Sequence, residues 1–334
     1  GTDGDQPYAG VAIGSGGVLY GTTEAGGTGA CVGGCGTVFS LTPPVSPGGA
    51  WTEAVLHSFA GVDGFQPFGA VAIGSGGVLY GTTLAGGACG CDTSGTVFSL
   101  TPPASPGGAW TETVIHSFAG GSDGWDPLAG VTIGKGGTLY GTTTYGGRSD
   151  YGTVFELKPP VSPGGAWTER VLYSFPGNDM TDPQSGVAIG NDGVLYGTTS
   201  YPGIADVTCG PSLVKCGKVY SLTPPASPDG PWMETELYRF TGGYDGYEPL
   251  AGVAVGGNGV LYGTTVYGGS GGNYGSGTVY SLAPPAAPGG AWTETVLYRF
   301  TDGTDGSRPY AGVVIGNRGG LYGTTQDTVF KLVP

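Results

Sequence analysis

Six times the chain writes the phrase LYGTT, opening at Leu19, Leu79, Leu139, Leu195, Leu261 and Leu321. The intervals are 60, 60, 56, 66 and 60 residues. A sustained period means that one supersecondary unit is copied along the chain and buries its apolar face against its neighbours. One complete unit reads PFGAVAIGSGGVLYGTT, a variable glycine-rich loop, then GTVFSLTPPASPGGAWTETVIHSFAGGSDG. It holds four short apolar segments, AVAIG, VLYGTT, TVFSL and WTETVIHSF, separated by glycine and proline turn signals. Their length and their β-branched and aromatic content predict strands, and none shows a helical period.

In the fourth segment, alternation places Trp110, Glu112, Val114, His116 and Phe118 on one face and Thr111, Thr113, Ile115 and Ser117 on the other. Neither face is wholly polar, so both are expected to be covered. Four-stranded antiparallel sheets, covered on both faces and repeated six times, predict an all-β fold, a six-bladed β-propeller. A β-solenoid fits less well, because its repeats are shorter. The expected blades are 7–60, 67–119, 127–176, 183–241, 249–301 and 309–334, in one domain spanning 1–334.

The tryptophan phrase occurs only five times, beginning at Trp51, Trp110, Trp167, Trp232 and Trp292. The last blade is therefore expected to have three strands, GVVIG, GLYGTT and TVFKLV, with 328–333 as an open edge for strand addition. The chain opens with GTDGDQP, which elsewhere directly follows the tryptophan phrase, as if cut just after one.

Glycine (73 residues) and proline (26) are abundant enough to suggest disorder, but 20 Tyr, 11 Phe and 6 Trp at periodic positions argue for a packed core. A net charge of −14 disfavours nucleic acid and anionic membrane surfaces as partners. No apolar run is long enough to span a bilayer as a helix. The six cysteines, Cys31, Cys35, Cys89, Cys91, Cys209 and Cys216, fall only in the glycine-rich loops. Their spacings do not suit zinc, so disulfides in an oxidising, extracellular or cell-surface setting are expected. Cys209–Cys216 is expected to close its own loop. Cys31–Cys35 and Cys89–Cys91 either do the same or cross-link the loops of the first two blades.

The recurring GVLYGTT, GG and GTVFSLTP resemble the repeats of the Gloeo-Verruco (GloVer) tandem-repeat family of bacterial secreted proteins. The resemblance recurs in all six units and implies an exported, surface or matrix protein. It brings no established catalytic residue with it. The order of phrases is also similar, more loosely, to quinoprotein-type propellers, without implying a quinone or any other cofactor.

In such blades the second-to-third and fourth-to-first connections share one face. The second-to-third loops differ in every unit, and rigid scaffolds carry recognition in variable loops. The aromatic residues there, Phe65, Trp125, Tyr145, Tyr201, Tyr247 and Tyr267, are the expected ligand-binding residues, suited to stacking on sugar rings or protein partners. The competing reading is that they fill gaps between blades. Asp3, Asp63, Asp123, Asp179, Asp245 and Asp305 recur in the fourth-to-first loop, five of them before glycine, as turn residues. A second acidic group at Asp5, Asp126, Asp182 and Glu248 offers Ca²⁺ as an alternative ligand, without any known calcium pattern.

Signals for catalysis are poor. His57 and His116 occupy the position of Tyr173, Tyr238 and Tyr298, which makes them core substitutes for tyrosine. Glu53, Glu112, Glu169, Glu234 and Glu294 recur too regularly for a catalytic acid and suggest a hydrogen bond repeated in each blade. GGSGGNYGSG lacks the following helix that a dinucleotide site requires. The expected function is non-catalytic recognition of a glycan or surface polymer. A structural subunit of an extracellular layer or fibre is the alternative, and a carbohydrate-active enzyme, using Asp123/Asp126 or Asp179/Asp182, the third reading.

Overall fold

The computed structural model describes residues 1–87, 94–105, 107–162, 164–176, 182–200, 216–227, 230–269, 275–287 and 289–334. Its regular structure there is all strand apart from single 3₁₀ turns. The chain is a β-propeller of six antiparallel blades, the last of them three-stranded. It packs as two compact units, Gly1–Val171 and Leu172–Pro334.

In the first unit, blade one runs β1 (Ala12–Ile13), β2 (Leu19–Thr23), β3 (Thr37–Thr42) and β4 (Thr52–Ser58), hydrogen-bonded in chain order. Blade two repeats this with β5 (Ala72–Ile73), β6 (Leu79–Thr83), β7 (Thr96–Thr101) and β8 (Thr111–Ser117). Blade three has β9 (Thr132–Ile133), β10 (Leu139–Thr143), β11 (Thr153–Lys158) and β12 (Thr168–Ser174), the last of which runs past the end of this unit at Val171. Apolar clusters lie between successive sheets: Val38 and Phe59 of blade one meet Val71, Leu79 and Phe98 of blade two.

The LYGTT phrase has a separate reason for each of its last three residues. Gly141 pairs with Phe155 across β10–β11, and a Cβ there would lie 2.5 Å from the ring. Only glycine lets the aromatic ring of the third strand lie over the second. The first threonine ties blade to blade: Thr82 Oγ1 donates to the Ala129 carbonyl at 2.9 Å, and Thr22 Oγ1 to that of Gly69 at 3.1 Å. The second ties strand to strand, with Thr83 and Thr96 hydroxyls 2.8 Å apart in the buried interior.

The alternation expected for the fourth strand is interrupted. Val97 pairs with His116 and Phe98 with Val114, so Ile115 is the extra residue of a β-bulge. Trp110 packs with Phe59 and Phe98, whereas Ile115 and Phe118 pack with Val97, Leu139 and Phe155. Trp110 and Phe118 therefore serve opposite faces, not one, because a bulge puts two residues opposite one and resets the period.

The second unit repeats the pattern. Blade four has β13 (Ala188–Ile189), β14 (Leu195–Thr199), β15 (Lys218–Thr223) and β16 (Met233–Arg239). Blade five has β17 (Ala254–Val255), β18 (Leu261–Thr265), β19 (Thr278–Ala283) and β20 (Thr293–Arg299), bulged like blade four. Blade six comprises β21 (Val314–Ile315), β22 (Leu321–Thr324) and β23 (Val329–Leu332). Among the described residues nothing pairs with the outer edge of β23, as the missing tryptophan phrase implies.

Candidate functional site

The loops between the second and third strands and those leading into the first strand meet blade by blade through short antiparallel bridges. Phe65 bridges Ala85, Trp125 bridges Tyr145, and Tyr247 bridges Tyr267. Five of the six expected ligand-binding aromatics are thus brought to equivalent places, while Tyr201 lies outside the described residues. The reason is local. The residue before the proline that opens each blade adopts positive φ, as at Gln66 (58°), Asp126 (57°) and Glu248 (54°), which turns its carbonyl towards the neighbouring loop. The amides of Leu84, Thr144 and Val266 donate to those three carbonyls.

The aromatic pairs differ in what they present. Trp125 and Tyr145 stack with centroids 4.5 Å apart, and both stay partly exposed. The indole N–H of Trp125 donates to Asp150 Oδ1 at 3.2 Å, and the same oxygen accepts the Gly146 amide at 2.9 Å, so the platform is fixed at two points. Tyr247 and Tyr267 stack at 5.3 Å, but Tyr247 is only 2% exposed. The Arg308 guanidinium lies over the Tyr267 ring, 5.8 Å from its centre. Phe65 borders a cleft of about 480 Å³ with Cys31, Val32, Val62 and Gln66.

A disulfide joins Cys31 to Cys35 and closes the blade-one loop on itself. Cys35 is buried, and Cys216, also buried, is a disulfide cysteine too. Cys89, Cys91 and Cys209 lie outside the described residues.

The recurrent aspartates organise the fourth-to-first loops. Asp63 accepts the Ala60 amide at 2.8 Å and bonds His57 Nε2 at 2.9 Å. Asp123 does the same with Ala119 (2.7 Å) and His116 Nε2 (3.2 Å). Tyr238 and Tyr298 hydroxyls donate to Asp245 and Asp305 at 3.0 and 3.1 Å. Histidine and tyrosine replace one another at this position because both carry a hydrogen-bonding atom at the ring's far end. The recurring interval of six or seven residues between ring and aspartate is the sequence signature of this bond. Gly124, between Asp123 and Trp125, must be glycine: φ is +95° and a Cβ would lie 2.3 Å from Thr143 Oγ1.

The hydrogen bond expected of the repeated glutamates is absent at three of them. Oε1 of Glu112, Glu169 and Glu294 is buried without a hydrogen-bond partner. In blade four the pattern differs, since Lys218 Nζ lies 3.3 Å from Glu234 Oε1. Burial first, then nearby carboxylates (Asp123 and Asp245), pushes Glu169 and Glu294 up to about 7, partly opposed by His116 and Arg299 respectively. Burial alone raises Asp126 to about 6.

The Gloeobacter/Verrucomicrobia repeat model matches residues 1–208. The chain belongs to that family. Among curated proteins nothing matches this Gloeobacter/Verrucomicrobia repeat protein. Solved structures share its fold at low identity. PorZ, a bacterial surface component of the type-IX secretion system of Porphyromonas gingivalis, is 14% identical with a TM-score of 0.55, over 98% of this chain and 40% of PorZ. A PL25 ulvan lyase is 11% identical, TM-score 0.54, over 99% and 81% of the two chains. A glucose dehydrogenase is 13% identical, TM-score 0.53, over 99% and 96%. No helix among the described residues is long and apolar enough to cross a membrane.

Proposed function

We propose that this repeat protein is a non-catalytic extracellular recognition module that binds a glycan or surface polymer on its variable-loop face. The observation that carries the reading is the Trp125–Tyr145 pair, a partly exposed stacked platform held by Asp150 in a loop that differs from blade to blade. A flat ring beside a carboxylate suits a sugar, whose apolar C–H face stacks while its hydroxyls donate to acid oxygens. The loop disulfide supports an oxidising compartment. The lyase and dehydrogenase of like fold act on saccharides, and PorZ is a surface component, which suits the reading without carrying it.

Glycan-array and polysaccharide binding of the wild type and Trp125→Ala tests it. The expected result is binding weakened by roughly 5- to 30-fold, the effect of losing about 1–2 kcal/mol of stacking, with little change in melting temperature. A collapse in stability with no binding in either protein assigns these rings to packing instead and overturns the reading. Turnover of the bound saccharide would replace recognition with catalysis.

One observation favours a second reading, a structural subunit. Among the described residues the outer edge of β23 is unpaired, Val329 is 79% exposed, and a cleft of about 280 Å³ lined by Phe300, Val329, Phe330 and Leu332 runs beside it. A strand from a second copy would satisfy that edge by β-augmentation.

A further inference from the structure

Blades one and two meet at a cluster that the recognition reading does not use. His57 near the end of β4 and Asp63 in the following loop belong to blade one, while Glu112 projects from β8 of blade two. His57 Nε2, a carboxylate oxygen of Asp63 and one of Glu112 all lie within 4.8 Å of one another. Among the described residues this is the one group of three such donors so close together.

Three features besides that proximity suit the cluster to a cation. Its donors are an imidazole nitrogen and two carboxylates, a set whose charge a divalent cation balances. One member, Glu112, has a buried oxygen with no hydrogen-bond partner, facing the cost of desolvation without a compensating donor. The other two are held in place independently: Asp63 by the Ala60 amide, and the His57 ring by edge-on contact with Phe59 at 4.8 Å. His57 and Asp63 side chains keep 20% and 18% exposure, which leaves an entry path.

We propose that His57, Asp63 and Glu112 bind one first-row divalent cation, Zn²⁺ in kind, with water completing its coordination. Nitrogen with two carboxylate oxygens suits zinc, whereas calcium takes six to eight oxygens and magnesium keeps most of its water. The cation takes the place of the proton between His57 Nε2 and Asp63 Oδ2, which leaves to solvent. It bridges two blades from strands more than fifty residues apart, so its effect is to staple them. The neighbouring repeats supply internal controls. His116 and Asp123 form the same pair at 3.2 Å but do not join a third donor within the same span. At the positions of Tyr238 and Tyr298 a phenol keeps the aspartate bond, and neutral tyrosine is a poor zinc ligand.

The experiment is calorimetric titration of ZnCl₂ into chelator-stripped, disulfide-intact protein, with thermal melts in Zn²⁺, Ca²⁺ and EDTA. The wild type is expected to bind one equivalent that His57→Tyr weakens about 100-fold or more, while His116→Tyr leaves it intact. Saturating Zn²⁺ should raise the wild-type melting temperature by several degrees, Ca²⁺ should not, and His57→Tyr should lose the rise. Glu112→Gln, which keeps the side chain's shape, repeats the test should His57→Tyr fold poorly. Zn²⁺ binding absent from the wild type, or unaltered by both His57→Tyr and Glu112→Gln, would overturn the assignment.

Discussion

Tyr220 and Tyr280 occupy the third-strand position that Phe39, Phe98, Phe155 and Phe330 hold in the other blades. Both are wholly buried, and neither hydroxyl has a hydrogen-bond partner among the described residues. Burial holds both phenols far above their usual titration range, so each stays neutral. Tyr280→Phe removes one oxygen and keeps the ring, including its edge contact with Phe240 at 5.0 Å. An unsatisfied buried hydroxyl costs about 1–3 kcal/mol, whereas losing its few van der Waals contacts costs only tenths. The expected net gain is about 1 kcal/mol, a rise of about 2 °C in Tm for a chain of this length. Urea denaturation should show a higher midpoint at unchanged slope. Tyr220→Phe should behave alike. A loss of 1 kcal/mol or more in Tyr280→Phe would refute the reasoning, because the hydroxyl would then be satisfied by buried water.

Glu169 and Glu294 titrate near 7 in the folded chain against an ordinary 4.5, so the native state binds more protons between those values. Stability from these groups is therefore fully present below about pH 4.5, falls as pH rises to about 7, and is flat above. Each group sets a ceiling of about 3 kcal/mol, and partial solvent contact brings the expected size to roughly 1 kcal/mol. Glu169→Gln and Glu294→Gln should flatten that slope in pH-dependent urea melts; an unchanged slope contradicts it. For the open edge, analytical ultracentrifugation should show concentration-dependent self-association that Val329→Lys abolishes, since an added charge blunts strand pairing. A wild type that stays monomeric throughout would rule out the structural-subunit reading.

Much of this protein is legible without coordinates because a repeat states its rules many times. Six LYGTT phrases and five tryptophan phrases dictate six blades and a three-stranded last one, since each phrase is one strand. Alternation failed at Ile115, where a bulge in the backbone, invisible as a residue type, separates Trp110 from Phe118. The exposure of equivalent aromatics was also undecided by sequence: Trp125 stays partly open while Tyr247 is buried, because burial depends on what the neighbouring loop covers. Above all, the sequence places His57 and Glu112 fifty-five residues apart in different repeats. Only the packing of one sheet on the next brings them together, because contacts between faces follow blade geometry and not distance along the chain.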